Sequence, residues 1–169
     1  MKRSIITIIL LTILFLSLNV KAQDYHTGIG IRLGGVTSGI SVKHFINSNG
    51  ALEGILGFGY RSFLVTGLYE QHLDIANAPG LRWFYGGGAH LGFFRYGGYY
   101  YAYRHGNYIY YADEPGMSHA IGGLDFILGM EYKFTRAPLT IGLDLKPFVD
   151  FVDGVQGYWD GAFSFRFAF

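Results

Sequence analysis

The chain has 169 residues, of which 15% are charged, 18% are aromatic, 26 are Gly and none is Cys, with a net charge of +1. That balance offers no basic surface for nucleic acid, and the absence of Cys excludes a disulfide framework, thiolate metal sites and a lipidated N-terminal Cys. Soluble domains carry about 25% charged residues, so the composition points to lipid or a partner as the surrounding medium.

In chain order, residues 1–22 have the pattern of a cleaved secretory signal. Lys2 and Arg3 precede the apolar run Ile5 to Leu18, and Val20-Lys21-Ala22 supplies a small-residue cleavage site. The apolar run is shorter than the roughly 20 residues of a membrane-spanning helix. Residues 23–169 are then expected to form one domain.

From there the recurring signal is alternation with a period of two, broken by turn residues. Ile29, Ile31 and Leu33 alternate with Gly28, Gly30, Arg32 and Gly34, and Ile40, Val42 and His44 with Ser41, Lys43 and Phe45. After the turn Asn47-Ser48-Asn49-Gly50, Leu52, Leu56, Phe58 and Tyr60 oppose Glu53, Ile55 and Gly57. A short turn at Arg61-Ser62 leads to Phe63, Val65, Tyr69 and Gln71 against Thr66, Glu70 and His72.

Asp74 to Gly80 forms the next turn. Trp83, Tyr85, Ala89, Leu91 and Phe93 follow, opposing Arg82, Gly86, Gly88, His90 and Gly92. A tyrosine-rich connection spans Arg95 to Ser118. Beyond it, Leu124, Phe126, Leu128, Met130 and Tyr132 oppose Asp125, Ile127, Gly129, Glu131 and Lys133. Thr135 to Pro138 turns the chain. Leu139, Ile141, Leu143, Leu145 and Val149 then oppose Thr140, Gly142, Asp144, Lys146 and Asp150. Pro147 lacks an N–H donor and is expected beyond the apolar band or at a bulge.

Val152 to Gly157 makes the last turn before an aromatic row, Trp159, Phe163, Phe165, Phe167 and Phe169, backed by Asp160, Ala162, Ser164, Arg166 and Ala168. The sum is eight strands of about 9–12 residues, near the 9–11 with which a tilted strand crosses a hydrocarbon core. The expected fold is all-β: an eight-stranded antiparallel up-and-down transmembrane β-barrel.

The non-apolar face fixes which side is inside. It carries Gly, Ala, Ser and Thr with scattered charges of both signs, as a narrow interior requires. A soluble exterior would be richer in Lys and Glu. Turning Arg166 outward at mid-membrane would cost about 2–4 kcal/mol, so lipid also sets the register. Tyr60, Trp83, Tyr85, Tyr132 and Trp159 lie near strand ends, where aromatic girdles sit.

In its signal, its eight alternating strands and its closing Phe163-x-Phe165-x-Phe167-x-Phe169, the chain resembles the small OmpA-/OmpX-type outer-membrane barrels, over essentially the whole of residues 23–169. The resemblance implies a porin-like fold in the outer membrane of a Gram-negative bacterium, in contact with lipid and lipopolysaccharide. It also implies that the C-terminal Phe row is read by the outer-membrane insertion machinery. No peptidoglycan-binding domain is expected after the eighth strand. With the N-terminus in the periplasm, the turns at Asn47–Gly50, Asp74–Gly80 and Thr135–Pro138 are periplasmic, and the tyrosine-rich loop lies outside.

An eight-stranded barrel is filled by its own side chains, so no open pore is expected. The inward charges Arg32, Glu53, Asp125, Glu131, Asp144, Lys146 and Arg166 read as an ion-pair network more readily than as a proton or ion path, because buried charges need partners. With the last hairpin centred within Val152–Gly157, Asp144 falls opposite Arg166 or one pair away, and Lys146 lies diagonal to Asp125.

In the long loop, Tyr99, Tyr100, Tyr101, Tyr103, Tyr108, Tyr110 and Tyr111 offer large amphipathic contact area for an extracellular protein or glycan. The alternative is that the flanking strands extend above the membrane and turn near Gly106-Asn107. The only adjacent Ser/His pair, Ser118-His119, lacks the His-x-Ser spacing associated with lipid-editing barrel enzymes, and His90 and Asp125 have no positioned nucleophile. No catalytic, metal or cofactor site is therefore expected. The competing reading of the whole is a soluble exported lipocalin-like barrel around an apolar ligand.

Overall fold

A computed structural model describes residues 25–59, 62–95, 100–105, 108–113, 118–151 and 155–169, of which 94–95, 100–105, 108–113 and 118–119 are described by their backbone. The expected signal, residues 1–22, lies outside the described residues, as do Tyr60, Arg61, Tyr96 and Tyr99. The described residues form ten strands: β1 (Thr27–Gly34), β2 (Thr37–Phe45), β3 (Gly50–Gly59), β4 (Ser62–Asp74), β5 (Leu81–Arg95), β6 (Tyr100–His105), β7 (Tyr108–Asp113), β8 (Ser118–Lys133), β9 (Leu139–Asp150) and β10 (Gln156–Ala168). Eight of them close into one barrel in the order β1-β10-β9-β8-β5-β4-β3-β2, and β6 and β7 form a separate two-stranded sheet. Each barrel strand is antiparallel to both neighbours.

The stagger of the barrel follows from its register. Stepping across paired residues from Gly28 leads through Lys43, Glu53, Leu68, Gly88, Asp125 and Phe148 to Tyr158. Gly28 itself pairs with Ala168 on the closing side, ten residues further along β10 (168 against 158). A stagger of ten over eight strands tilts them by roughly 40° from the barrel axis and leaves an interior about wide enough for side chains to fill.

The alternation read from the sequence is the alternation of the barrel wall. Along β4 and β9 buried and open residues exchange almost without interruption. Inside lie Arg32, Lys43, Glu53, Glu70, His90, Asp125, Asp144 and Arg166, each buried; outside, Ile31, Leu56, Leu91, Phe126, Leu143 and Phe163 are exposed. An apolar cluster of Ile55, Leu68, Phe84 and Ile127 fills one part of the interior. A second cluster, Tyr25 with Phe45, Ala51 and Ala168, closes the end where β1 begins and β10 finishes. That end carries the three short turns; the opposite end carries the β6–β7 hairpin.

Local chemistry explains the short turns. The Asn47 side-chain oxygen accepts from the Asn49 and Gly50 N–H groups at 3.0 and 2.6 Å, which tightens the β2–β3 turn. At the β4–β5 turn Gly80 has φ +86°, and a Cβ there would meet the Lys133 carbonyl oxygen at 2.6 Å, so glycine is required.

Several expectations are corrected. Within the Arg95–Ser118 connection, β6 and β7 pair from Tyr100↔Asp113 to His105↔Tyr108, in line with the expected turn between them but as a sheet separate from the barrel and not as extensions of its strands; Gly106 and Asn107 lie outside the described residues. Of the two places expected for Pro147, the bulge is excluded: it lies in β9, paired with Trp159. The β8–β9 pairs step from Asp125↔Phe148 to Leu128↔Leu145 in one register, so the ladder is interrupted there without a bulge. Gln156 and Gly157 belong to β10, not to the last turn.

The wall also makes a sharp contrast between adjacent residues. Ile127 is 3% exposed inside and Leu128 is 52% exposed outside. Ile127→Ala is expected to cost about 2–5 kcal/mol in urea unfolding of the detergent-folded protein, and Leu128→Ala distinctly less. Equal losses at the two positions would contradict the assigned faces.

Candidate functional site

The interior of the barrel gathers the charges of strands far apart in sequence into three clusters. Alternation carries each inward, and the stagger decides which ones meet. The first cluster lies toward the hairpin end on the β1 side. Arg32 holds Asp144 through Nε at 3.3 Å and Nη2 at 2.6 Å, and donates from Nη1 to Asp160 at 2.9 Å. Asp160 also accepts from the Val36 N–H and the Thr37 hydroxyl, at 2.9 and 3.1 Å, so one carboxylate anchors both the ion pair and the β1–β2 turn.

The second cluster lies toward the same end on the β5 side. His90 contacts Asp125 through Nδ1 and Asp150 through Nε2, both at 2.7 Å. Lys146 pairs with the other oxygen of Asp125. The Phe148 ring stands edge-on to His90 at 5.5 Å between centroids.

The third and largest cluster occupies the short-turn half. Arg166 binds Glu53 through Nη2 at 2.5 Å and Glu131 through Nη1 at 3.1 Å, and donates from Nε to the Ser41 hydroxyl at 2.8 Å. Lys43 lies 2.7 Å from Glu70, 3.1 Å from Glu53 and 3.6 Å from Glu131. His72 Nε2 meets Glu70 at 2.9 Å and stacks on Phe84 at 4.9 Å. Tyr25, just before β1, donates its hydroxyl to Glu131. Burial, reinforced by the Glu131 charge, pushes the Tyr25 phenol far above its ordinary range, so it remains a neutral donor.

Each member lies in an environment where losing a partner is expensive. Removing one half of a buried ion pair leaves the other charge desolvated and costs about 3–5 kcal/mol. The clusters tie β1 to β9 and β10, β5 to β8 and β9, and β10 to β2, β3 and β8. Chemically they are acid, base and cation groups held against each other. The hydrogen bonds of the two His–carboxylate pairs among the described residues run to carboxylates and not to a Ser or Thr hydroxyl. Nor do three His, Asp or Glu side chains converge there as metal ligands. Toward the short-turn end a cleft of about 260 Å³ is lined by Tyr25, His26, Phe45, Asn47, Ser48 and Arg82.

All seven inward charges singled out from the sequence are buried. The structure joins Lys146 with Asp125 as the diagonal predicts, but it does not join Asp144 with Arg166. Asp144 pairs across the ladder with Ala162, and Arg166 with Thr140. The pairing Asp150↔Gln156 centres the hairpin on residue 153, earlier in the chain than the midpoint of Val152–Gly157. This displaces Arg166 along β10, toward Glu53 and Glu131 on more distant strands.

The cluster members that sequence reading did not assign as ion-pair candidates are Tyr25, Lys43, Glu70, His72, His90, Asp150 and Asp160. Lys43, Glu70, His72, His90, Asp150 and Asp160 already stood on the inward face by alternation, which was the available signal. Tyr25 precedes the first strand and gave no pattern. The tyrosines of the long loop fall on β6 and β7 or outside the described residues.

Compared with protein-family models, curated proteins and solved structures, the chain matches none. The class defined by its architecture is therefore a closed eight-stranded antiparallel β-barrel with a charged, filled interior and an apolar exterior.

Double-mutant cycles test these partnerships. Arg166→Met with Glu131→Gln is expected to show a coupling of about 1 kcal/mol or more in urea unfolding, and Arg166→Met with Asp144→Asn to be additive within about 0.5 kcal/mol. Strong coupling in the second cycle would contradict the register.

Proposed function

We propose that the chain is an integral outer-membrane β-barrel protein of a Gram-negative bacterium, monomeric and seated in lipid and lipopolysaccharide. Its role is structural or one of surface interaction, the latter carried by the Tyr-rich connection around β6 and β7. The observation that carries this proposal is the inverted polarity of the wall: exposed Ile31, Leu56, Leu91, Phe126, Leu143 and Phe163 outside, and buried ion pairs inside. About ten residues tilted by roughly 40° rise close to 25 Å, the height of an outer-membrane barrel's apolar band.

Aromatic residues support the same placement. Trp83 and Tyr85 stack at 5.4 Å near the short-turn end, and Trp159 stands exposed near the other, as interfacial girdles do. The short turns then face the periplasm and the hairpin the outside. Phe163, Phe165, Phe167 and Phe169 on or beside β10 serve as the signal for the insertion machinery. No reaction or cofactor enters this role, and an interior filled by ion pairs favours a closed barrel over a conducting one. A lipocalin-like barrel would place its apolar ligand against those same charges.

Fractionation checks the placement. The protein is expected in the outer membrane, soluble only with detergent and migrating differently on gels before and after heating. A detergent-free soluble monomer with a ligand in its interior would favour the lipocalin-like alternative. Leu128→Arg should cost about 2–4 kcal/mol in a bilayer. Deleting residues 99–111 should abolish binding of a surface protein or glycan, and unchanged binding of every ligand tested would remove the surface-interaction role.

A further inference from the structure

The largest interior cluster brings two carboxyl groups from neighbouring strands together. Glu53 of β3 and Glu70 of β4 both lie against the Lys43 ammonium, at 3.1 and 2.7 Å, and their side chains are fully enclosed. The two carboxyl groups are within hydrogen-bonding reach of one another. Glu53 Oε1 accepts from the Ser41 hydroxyl and from Arg166, and Glu70 Oε2 meets Lys43 and His72 Nε2. The remaining oxygens, Glu53 Oε2 and Glu70 Oε1, are buried with no donor aligned on either among the described residues.

An ionised carboxylate only accepts, so two facing carboxylate oxygens repel unless a proton lies between them. The charges lead to the same result. Three carboxylates, Glu53, Glu70 and Glu131, face two fixed cations, Lys43 and Arg166. With all three ionised and His72 neutral, the enclosed cluster keeps one unbalanced negative charge, which burial strongly disfavours. One added proton makes it neutral.

The neighbouring groups decide where that proton sits. His72 takes it only by placing an N–H on Nδ1, which is buried without a partner. A neutral ring instead donates from Nε2 to Glu70 Oε2 at 2.9 Å and leaves only a lone pair unused. Glu131 on β8 accepts from the neutral Tyr25 hydroxyl through one oxygen and from Arg166 through the other, so it is satisfied as a carboxylate. Glu53 holds the Arg166 guanidinium of β10 and keeps its charge. From β5 the ladder partner of Glu70 is Gly86, which adds no charge, and Arg82 at the mouth is engaged by Asp74. The contrast with the first cluster is direct: every oxygen of Asp144 and Asp160 has a donor there, from Arg32, Val36 or Thr37.

We infer that Glu70 and Glu53 form an acid–carboxylate pair that binds one proton inside the barrel, with Glu70 Oε1–H donating to Glu53 Oε2. Lys43 and Arg166 then balance Glu53 and Glu131 charge for charge, and β3 and β4 gain a side-chain link across their ladder. Above the ordinary range of glutamate the unfolded chain has released this proton and the barrel still holds it, so folding takes a proton up from water. Rising pH therefore weakens the barrel until the pair itself loses the proton. The pair rests on the interior geometry alone and not on where the barrel resides.

Infrared spectra of the detergent-folded full barrel at neutral pH test the pair, taken as wild type minus Glu70→Gln. Gln supplies an N–H toward Glu53 and a carbonyl toward Lys43 and His72, so this variant should fold and stay heat-modifiable. The difference should contain the C=O band of a protonated carboxyl. In wild type that band should shift on ¹³C labelling of glutamate carboxyls and not of aspartate carboxyls. In urea, the unfolding constant of wild type should rise against that of Glu70→Gln by about tenfold per pH unit between about pH 5 and the titration of the pair. Absence of the band, as a water or cation bridging two carboxylates would give, would overturn the pair. So would a constant ratio of the two unfolding constants across that range, or a Glu70→Gln chain that does not fold.

Discussion

Every charge that points into this barrel must find its partner there. Eight strands staggered by ten residues enclose a space only about as wide as its own side chains, and water cannot take over a lost ion pair in it. Arg32, Lys43 and Arg166 meet this constraint by each sitting between carboxylates of different strands, and Lys146 by pairing with Asp125 of the neighbouring strand. Arg166 illustrates the result: a residue three positions before Phe169 contacts β2, β3 and β8 at once. The closing seam between β1 and β10 is thus backed from within as well as by its ladder.

The same constraint explains the outward face. A period of two ties the two faces together: the register that turns the charges and small residues inward turns most of the Ile, Leu, Val and Phe outward, with Ile55, Leu68, Phe84 and Ile127 as the inward exceptions. No compensating second layer covers them among the described residues, because all eight strands belong to one closed sheet. The apolar exterior is therefore a property of this sequence on this fold, and lipid covers it under the proposed outer-membrane placement. Interior and exterior are one decision, made once by the stagger and alternation of the strands.

The wall was highly legible in the sequence because its signal is local. Leu124 to Tyr132 reads out and in correctly residue by residue, and Asn47 to Gly50 identifies its own turn. The partnerships were less legible because they depend on register, which is global. A shift of the last hairpin's centre to residue 153 moved Arg166 away from Asp144 and into the Glu53–Glu131 cluster. Lys146 with Asp125 was readable because the two strands are consecutive in the wall. Arg32 with Asp144 was not, because it spans the barrel's closure, which no short stretch of sequence encodes. Tyr25 enters the interior from outside any strand, beyond the reach of periodicity.

Site-directed spin labelling along β8 tests the arrangement most directly, since the chain has no native Cys. Single Cys replacements from Leu124 to Glu131 would be labelled in lipid vesicles and probed with oxygen and with a water-soluble nickel chelate. The account predicts that Leu124, Phe126, Leu128 and Met130 positions are reached by oxygen and shielded from nickel, while Asp125, Ile127, Gly129 and Glu131 positions are shielded from both. Nickel access at the first set, or loss of the period of two, would contradict an apolar wall facing lipid around a filled, charged interior.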